Sequence, residues 1–375
     1  MIYLDSAATS LKKPKCVAAA ADHALTTMAS PGRGGHKPSM KAAECVLNCR
    51  ILLASYFNVR DFENVIFTFN ATHALNIAIN SIVRPGDKVV VSGYEHNAVM
   101  RPLKALGADI RIAASPLFDE KAAVDAVKRA LPGARCVVYN HVSNVFGFIL
   151  PLEEVSALCH KFKVPLIVDA SQSAGIIPID FTALGAAFIA MPGHKGLLGP
   201  QGTGVLLCSG RHPVKPLLFG GTGSDSVKET MPEYLPDMLE AGTHNVCGIA
   251  GLHAGIKYLM SKPEGAIFAY ERKLCAILAD RLYGLSGLKV YYTNDDSRQI
   301  GLISIISENI SCEELFERLN KAGIYVRAGM HCAPTAHSTV GTLKTGTVRF
   351  SFSPFVSQKE TVFAAETVKK VLSTP

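Results

Sequence analysis

A lysine in a glycine-rich turn is the residue of this sequence that most directly indicates chemistry. Lys195 comes after the apolar, strand-like run 186–190 and directly follows His194. A lysine that ends a buried strand costs free energy unless it pairs with an acid or forms a covalent bond. Enzymes that use pyridoxal phosphate (PLP) hold such a lysine as a Schiff base with the aldehyde of the cofactor. Taken alone, Lys195 is also consistent with an ordinary loop lysine in solvent.

Asp169 supplies the second group that PLP chemistry needs. It ends the apolar run 165–168, where an unpaired carboxylate would be costly. A carboxylate there can pair with the pyridine nitrogen of PLP, and the protonated ring is then a better electron sink. Gln172 would lie on the same side and could hydrogen-bond the phenolic oxygen of the ring. The alternatives are that Asp169 caps the following turn and that Gln172 is an ordinary loop residue.

A phosphate site is predicted where residues 70–73 follow a strand and begin a helix. The free backbone N–H groups at Ala71 and Thr72, the helix dipole and the Thr72 hydroxyl together favour an anion. His194 could add a second phosphate contact. The alternative is that this segment holds only a plain helix N-cap.

Two further polar residues, His96 and Asn144, follow predicted strands. A flat imidazole at position 96 could stack on the cofactor ring and move protons. Because sites in open α/β sheets lie at the carboxyl ends of the strands, we expect both residues to share one edge with Asp169 and Lys195.

The C-terminal third contains a candidate nucleophile and two candidate substrate-binding arginines. Residues 327–334 combine Arg327, a glycine turn, a histidine and Cys332, and nearby positive charge favours the nucleophilic thiolate. Arg349 interrupts a strand with a planar fork that suits a substrate carboxylate. A surface ion pair is the alternative for Arg349.

Apolar runs alternate with helix-length segments through most of the chain, which predicts an α/β fold around a mostly parallel, seven-stranded sheet. These runs read as strands buried on both faces. They are residues 65–69, 88–92, 108–113, 136–140, 165–169, 186–190 and 204–208. After about residue 246 the pattern predicts one long helix over 249–284, strands at 288–292, 300–306, 324–327 and 348–353, and helices at 313–322 and 360–372. We therefore expect a large domain over 15–245 and a smaller α+β domain over 246–375 joined by 1–14.

The bulk composition narrows the function classes. The 375 residues are 48% hydrophobic and 18% charged, and the net charge of +7 is not gathered into a basic block. This pattern gives no support to nucleic-acid binding. No apolar run is long enough to span a membrane, no secretory signal is evident, and the ten cysteines include no Cys-x-x-Cys pair. We expect a cytoplasmic protein without a metal site, in which Cys45 and Cys49 share a helix face. The glycine-rich run 199–204 leads into a strand, so a dinucleotide loop is rejected.

These residues, in this order, resemble class V, fold-type I PLP-dependent enzymes, and within them the cysteine desulfurase/selenocysteine lyase group. The resemblance runs nearly from end to end. Its motifs are residues 3–9, 33–36 and 70–74, His96, Asn144, Asp169, Gln172, His194 with Lys195, residues 240–245 and 327–333, and Arg349.

The resemblance implies PLP on Lys195, with His96 also acting in catalysis, and a homodimer in which Thr243 reaches the phosphate of the neighbouring subunit. It also implies L-cysteine or L-selenocysteine as substrate, with Arg33, Asn144, Arg327 and Arg349 binding it. Cys332 would take the sulfur as a persulfide, and a partner protein could accept it. One departure is Pro192 in place of a serine that commonly contacts the phosphate, since proline offers neither hydroxyl nor N–H.

Two alternatives remain open from the sequence. Another class V reaction, an aminotransferase or a lyase of a β-substituted amino acid, would use the same sheet, Asp169 and Lys195. A non-enzymatic docking or sulfur-relay protein is the other, although the full set of catalytic groups disfavours it.

Overall fold

The computed structural model describes residues 1–32 and 34–373, which form three sheets and twelve α-helices within those ranges. The strands are β1 (Ile2–Tyr3), β2 (Val65–Thr68), β3 (Lys88–Ser92), β4 (Asp109–Ala113), β5 (Cys136–Asn140), β6 (Leu166–Asp169), β7 (Phe188–Pro192), β8 (Gly204–Cys208), β9 (Leu288–Tyr291), β10 (Leu302–Ser307), β11 (Ile324–Tyr325), β12 (Arg327–Gly329) and β13 (Thr347–Ser351). The helices are α1 (Lys15–Thr27), α2 (Lys37–Tyr56), α3 (Ala71–Ile82), α4 (Asn97–Ala105), α5 (Glu120–Ala130), α6 (Leu152–Phe162), α7 (Phe181–Leu184), α8 (Val246–Met260), α9 (Ala266–Leu282), α10 (Cys312–Lys321), α11 (Pro334–Val340) and α12 (Gln358–Ser373).

The largest sheet has seven strands in the order β2-β8-β7-β6-β5-β3-β4. Every neighbouring pair is parallel except the two pairs that involve β8. Helices α3 and α4 pack against one face, while α2, α5, α6 and α8 contribute to the core on the other. The predicted mostly parallel α/β sheet is confirmed.

The prediction of a strand buried on both faces is wrong for residues 108–113. Strand β4 lies at the edge of the sheet, and only Ala113 of its five residues is buried. Asp109 and Arg111 pair with each other in solvent, with 2.7 Å between the carboxylate and the guanidinium. The alternation of polar and apolar residues in this run is the signature of a half-exposed strand.

A second, four-stranded sheet is antiparallel, with the order β12-β13-β10-β9. Its core includes residues from α9, α10 and α12. The two-residue strand β1 pairs in parallel with β11, and Ile2 and Leu4 are buried in the same core. The first residues of the chain therefore pack against its C-terminal part.

Two sequence predictions in the C-terminal part are wrong. The single helix expected over 249–284 is two helices, α8 and α9, because Pro263 and the left-handed Gly265 (φ +72°) interrupt it. The single strand expected over 324–327 is also divided. Its first two residues pair with the N-terminus as β11, and Arg327 begins β12, which pairs with β13. Within the described ranges, no helix has the length and apolarity that a membrane crossing requires.

Candidate active site

The predicted site residues meet at the carboxyl edge of the large sheet. One cavity there is lined by His96, Asn144, Asp169 and Lys195, which follow β3, β5, β6 and β7. Other residues that the sequence singled out line the same cavity: Ala71, Thr72, Gln172 and His194. The parallel order of these strands places their ends side by side, as expected for a site in an open α/β sheet.

Lys195 lines this cavity, and the pKa of its amine is lowered there. Burial lowers the pKa of its amine from 10.5 to about 8, nearby Asp169 partly opposes the effect, and Arg349 and Arg327 add to it. A lower pKa leaves more neutral amine near pH 7, which is the form that attacks an aldehyde. The environment of Lys195 is therefore suited to forming a Schiff base.

Asp169 is buried at the end of β6 and is only partly satisfied by the protein. Its Oδ1 accepts the backbone N–H of Ser171 at 2.9 Å, so the expected turn cap is present. The described residues supply no other hydrogen bond to this carboxylate. One oxygen can therefore accept a proton or a donor from the cavity.

Asn144 and Gln172 each use their amide N–H groups within the protein. Asn144 Nδ2 donates to the carbonyl of His331 at 2.8 Å, and Gln172 Nε2 donates to the carbonyl of Ala7 at 3.0 Å. The Asn144 Oδ1 atom is buried and has no hydrogen-bond partner. A buried acceptor without a donor is costly, and it indicates a missing ligand or water.

His96 is held as the N-cap of α4. Its Nδ1 accepts the backbone N–H of Ala98 at 3.0 Å, which assigns the proton to Nε2. Burial lowers the pKa of the ring to about 4, Asp169 opposes this shift, and Lys195 reinforces it. At neutral pH the imidazole is therefore uncharged, with its flat ring and its Nε2–H free for the cavity.

The expected anion site has the required backbone geometry. Helix α3 begins at Ala71, and Asn70 is its N-cap, with Oδ1 accepting the N–H of His73 at 2.9 Å. The first-turn N–H groups of Ala71 and Thr72 have no partner within the helix. A Cβ on Gly204 would lie 2.6 Å from the backbone carbon of Asn70, so only glycine lets β8 approach this turn.

His194 lies beside the anion site but is engaged by the N-terminal segment. Its Nδ1 is 3.0 Å from Thr9 Oγ1, and its carbonyl accepts the Ser10 hydroxyl at 3.0 Å. Burial lowers the pKa of the ring to about 4, and the nearby lysines add to the effect. An uncharged ring with Nε2 still available can donate one hydrogen bond to an anion.

Arg349 is buried, so the alternative of a surface ion pair is wrong. One guanidinium nitrogen donates to the carbonyl of Asn144 at 2.8 Å, and another lies 2.7 Å from Asp5 Oδ1. Its Nε is buried without a partner. Arg327 is directly opposite Arg349 in the β12–β13 register, so the two side chains point to the same face. Two guanidinium groups and one carboxylate leave positive charge for a further anion.

The loop that carries Cys332 is held in a strained conformation beside the cavity. His331 and Cys332 both have positive φ, +49° and +56°, which is costly for residues with a side chain. The carbonyl of Cys332 accepts the N–H of Asn97 at 2.8 Å, and the buried His331 ring contacts the Thr347 hydroxyl at 3.0 Å. The Cys332 residue is exposed and lies next in space to the start of α4.

Four of the predicted site residues that the structure describes do not line this cavity: Thr243, Arg327, Cys332 and Arg349. Thr243 is exposed and lines a different pocket, together with Glu240 and His244. Arg33 lies outside the described residues.

The sequence reasoning missed three acids that support the site: Asp5, Glu95 and Glu240. Glu240 makes a bidentate pair with buried Arg50, 2.8 Å from each terminal nitrogen. Burial acts to raise the pKa of Glu240, but Arg50 and His244 outweigh it and lower the pKa overall. Asp5 and Glu240 lie in motifs that carried the resemblance, and that was the only signal for them.

Glu95 joins the ends of two strands under His96. Its Oε1 accepts the Ser92 hydroxyl at 2.5 Å and the Asn140 N–H at 2.8 Å, while Oε2 is buried without a partner. Burial raises the pKa of this carboxyl to about 8, and the hydrogen bonds from Ser92 and Asn140 only partly oppose the rise. Glu95 does not itself line the cavity, and Asp169 is the only acid among the described residues that do.

Comparison with known proteins identifies the family of this chain. Residues 2–362 match the family described as Aminotransferase class-V. The chain belongs to this family. A probable cysteine desulfurase from Methanothermobacter thermautotrophicus is 32% identical, over 99% of this chain and 94% of the relative. A probable cysteine desulfurase from Pyrococcus abyssi is also 32% identical, over 96% of this chain and 91% of the relative.

Solved structures of class-V relatives have the same fold. The apo structure of a cysteine desulfurase from Thermococcus onnurineus NA1 superimposes with a TM-score of 0.90 at 30% identity, and covers 100% of this chain and 95% of that one. The cysteine desulfurase CsdA from Escherichia coli gives a TM-score of 0.87 at 26% identity, over 99% of this chain and 94% of that one. The resemblance to class V enzymes read from the sequence is confirmed.

Proposed function

We propose that this class-V enzyme is a PLP-dependent cysteine desulfurase, which converts L-cysteine to L-alanine and transfers the sulfur to Cys332. The observation that carries the proposal is that the exposed Cys332 belongs to a loop in contact with the residues around the cavity of Lys195 and Asp169. The Cys332 carbonyl accepts the N–H of Asn97, and the neighbouring His96 and Ala98 line that cavity. The names of the relatives at 32% identity support the same reaction.

The residues present fit PLP. The unpaired Asn144 Oδ1 and the open carboxylate oxygen of Asp169 both need donors, and a pyridinium N–H and hydroxyl would supply them. The first turn of α3, with glycine at 204, suits a phosphate. When bound there, PLP supplies an electron sink for negative charge at the substrate Cα. Pro192 removes one usual phosphate contact, and the N–H groups of Ala71 and Thr72 with the Thr72 hydroxyl replace it.

Each side chain has a distinct part in the reaction. Lys195 would hold the cofactor and could take the proton from the substrate Cα, Asp169 would accept the ring N–H, and His96, with its flat ring and Nε2–H, would lie against the cofactor ring. Gln172 and His194 bind the ring oxygen and the phosphate. These roles follow from the shared cavity and from the lowered pKa of Lys195.

The substrate carboxylate binds at the paired arginines. Arg327 has no carboxylate partner within the described residues, whereas Arg349 is paired with Asp5. We assign both arginines to the carboxylate, together with Asn144 and with Arg33, whose position is not described. A planar guanidinium binds a carboxylate through two parallel hydrogen bonds, which orients the substrate as well as holding it.

The sulfur-transfer step is a displacement by the Cys332 thiolate. Its lone pair forms a sulfur–sulfur bond with the substrate sulfur, the carbon–sulfur bond breaks, and the bonding electrons pass to carbon. A proton on that carbon then gives alanine. No external oxidant is consumed, because the carbon that takes up the electron pair is reduced as the two sulfur atoms are oxidised to the persulfide. The left-handed backbone at His331 and Cys332, together with the contact between the Cys332 carbonyl and the Asn97 N–H, holds the loop that carries the thiol.

The remaining parts of the proposal concern the oligomeric state, the location in the cell, the sulfur acceptor, the domains and a second substrate. We propose a cytoplasmic homodimer in which exposed Thr243 reaches the phosphate of the neighbouring subunit, and a partner protein that accepts sulfur from Cys332. We also propose the division of the chain into 15–245 and 246–375 with 1–14, and activity on L-selenocysteine.

The test is the Cys332→Ala variant, with alanine, sulfide and persulfide measured after addition of L-cysteine. We expect an unchanged cofactor spectrum and loss of cysteine-dependent persulfide and sulfide. Full sulfide release by this variant would refute the assignment of the nucleophile. Keto-acid-dependent removal of the amino group by the wild type, without alanine formation, would instead indicate an aminotransferase.

A further inference from the structure

A second, smaller cavity adjoins Lys195. It lies between the N-terminal segment, the loop that carries Lys195, helix α9 and the strands β10 and β13, and its volume is about 40 Å³. That is enough to hold water, which needs roughly 10–15 Å³ of such space per molecule. Lys195 and Gln172 line both this cavity and the cofactor cavity, so the two side chains separate them.

Glu271 is the acid of this second cavity. It lies on the buried face of α9 with Leu274, Cys275 and Leu278, and only 5% of its surface is exposed. Its carboxyl has no hydrogen-bond or ion-pair partner among residues 1–32 and 34–373. Gly301 packs directly on it, since a Cβ there would lie 2.5 Å from the Glu271 Cβ. The acid is therefore closed off from the surface on this side and lines the cavity.

Within residues 1–32 and 34–373, no arginine pairs with Glu271. The adjacent Arg272 turns away, 2.8 Å from Asp296 and 3.0 Å from the carbonyl of Thr293. Among the described residues that line the cavity, Lys195 is the only cation. Ser6 also faces it, and the Ser6 hydroxyl is buried without a partner. Glu271 and Ser6 thus both require water in the cavity to satisfy their hydrogen bonds.

Burial shifts the pKa values of Glu271 and Lys195 toward each other. A buried carboxylate without a cation is so costly that the group takes up a proton instead. Burial accordingly raises the pKa of Glu271 well above its usual value of 4.5, while burial lowers the pKa of Lys195 to about 8. The two shifts narrow the difference between the pKa values of the acid and the base, and proton transfer becomes more efficient as that difference narrows.

We propose that Glu271 is a proton reservoir for Lys195, which exchanges protons with the lysine amine through water held in the second cavity. In one direction the Glu271 carboxyl gives its proton to a water, and that water gives one to Lys195 Nζ. The reverse transfer returns Lys195 to the neutral amine and Glu271 to the neutral acid, so no proton is gained or lost overall. The inference rests on the proposed function, because only a lysine that takes and gives protons during turnover needs such a store.

Among the described residues that line the cavity, only Glu271 and Lys195 are titratable, and just outside it Lys13 Nζ donates to the Ser10 hydroxyl at 2.6 Å. The N-terminal segment presents Ser6, Ala7 and Ser10 to the cavity, and β13 with the residues after it presents Ser351 and Ser353. The other lining residues of the described chain are apolar, apart from Gln172 and glycines. A change in protonation within this cavity is therefore assigned to Glu271 or Lys195.

The first measurement is made on the apoprotein, so it does not depend on activity. Infrared difference spectra between the wild type and Glu271→Gln at pH 7 should show the carbonyl stretch of a protonated carboxyl, lost in the variant. Should Glu271→Gln fail to fold, Glu271→Asp provides the assignment, because its shorter side chain shifts the band. A spectrum that shows an ionised carboxylate at this position would overturn the proposal.

The second measurement is turnover of L-cysteine by the PLP-loaded enzyme. Glu271→Gln keeps the shape of the side chain, so we expect an unchanged cofactor spectrum and KM, with kcat reduced more than about tenfold. Glu271→Asp keeps an acid and should retain more activity than Glu271→Gln. The matched control is Asp280→Asn, which removes an exposed carboxylate on the same helix and should leave kcat unchanged. A smaller reduction in Glu271→Gln overturns the proposal, whereas a wild type that forms no alanine refutes the proposed function instead.

Discussion

Replacement of Lys195 by methionine should stabilise the apoprotein at neutral pH. Without its cofactor, the folded protein keeps a lysine whose pKa falls from 10.5 to about 8, chiefly because of burial. Each pKa unit corresponds to about 1.4 kcal/mol, so the charged lysine costs the folded state about 3 kcal/mol. Methionine has similar length and no charge, and the Lys195→Met apoprotein should therefore gain up to that amount at pH 7.

The stability gained by Lys195→Met should depend on pH, and the sign of that dependence tests the reasoning. Between pH 8 and 10.5 the folded lysine has already lost its proton while the unfolded lysine retains it. The unfolded state then binds more protons, and the stability of the wild type rises with pH. The advantage of Lys195→Met is thus full below pH 8 and disappears by about pH 10.5. Loss of the partner of Asp169 will reduce the gain but not reverse this trend.

The assay is urea unfolding of the two apoproteins at several pH values from 7 to 10. The cofactor must be removed first, because a ligand that binds only the folded state adds its own stability. Lys273→Met replaces an exposed lysine on α9 and serves as the control, with no pH-dependent difference from the wild type expected. A difference between Lys195→Met and the wild type that is constant with pH, or that grows toward pH 10, would refute the reasoning.

Two further substitutions test the supporting contacts. Glu240→Gln leaves buried Arg50 without a charged partner, so the free energy of unfolding should fall by about 3–5 kcal/mol. Urea titrations measure this, and a loss below about 1 kcal/mol would contradict a buried ion pair. Arg349→Lys removes the planar fork that reaches both Asp5 and the Asn144 carbonyl, so kcat/KM for L-cysteine should fall at least about tenfold, mainly through KM. An unchanged KM would exclude Arg349 from substrate binding.

The sequence predicted the large sheet well because the signals there are local. Continuous apolar runs bounded by turns gave the exact limits of β3, β5 and β8. The strand at residues 108–113 was misjudged because burial of its two faces depends on what packs against them. The other edge strand, β2, is buried at all of its residues, whereas β4 is mostly uncovered. The prediction of one helix over 249–284 was wrong for a different reason. The long apolar pattern on both sides outweighed the interruption signalled by Pro263 and Gly265.

The sequence predicted the residues at the strand ends of the candidate site but not the acids that support them. Residues that follow strands, such as Asp169 and Lys195, could be placed together because parallel strands end at one edge. The acids Asp5, Glu95 and Glu271 could not be placed in this way. Glu95 accepts from distant Asn140 as well as from nearby Ser92, and Glu271 lacks a partner in the described chain. Asp5 meets Arg349 across almost the entire sequence, and no local pattern encodes that pairing.

The N-terminal segment connects the two halves of the site. Asp5 pairs with Arg349 of the antiparallel sheet, the Ala7 carbonyl accepts from Gln172, and the Ser10 hydroxyl donates to the carbonyl of His194. A substrate carboxylate that took Arg349 would compete with Asp5, whereas Arg327 has no carboxylate partner in the described part of the chain. Under the proposed function, binding can therefore begin at Arg327 without breaking the Asp5 contact. Arg349 would then share its buried, unpaired Nε with the substrate, which keeps the segment in place while the site fills.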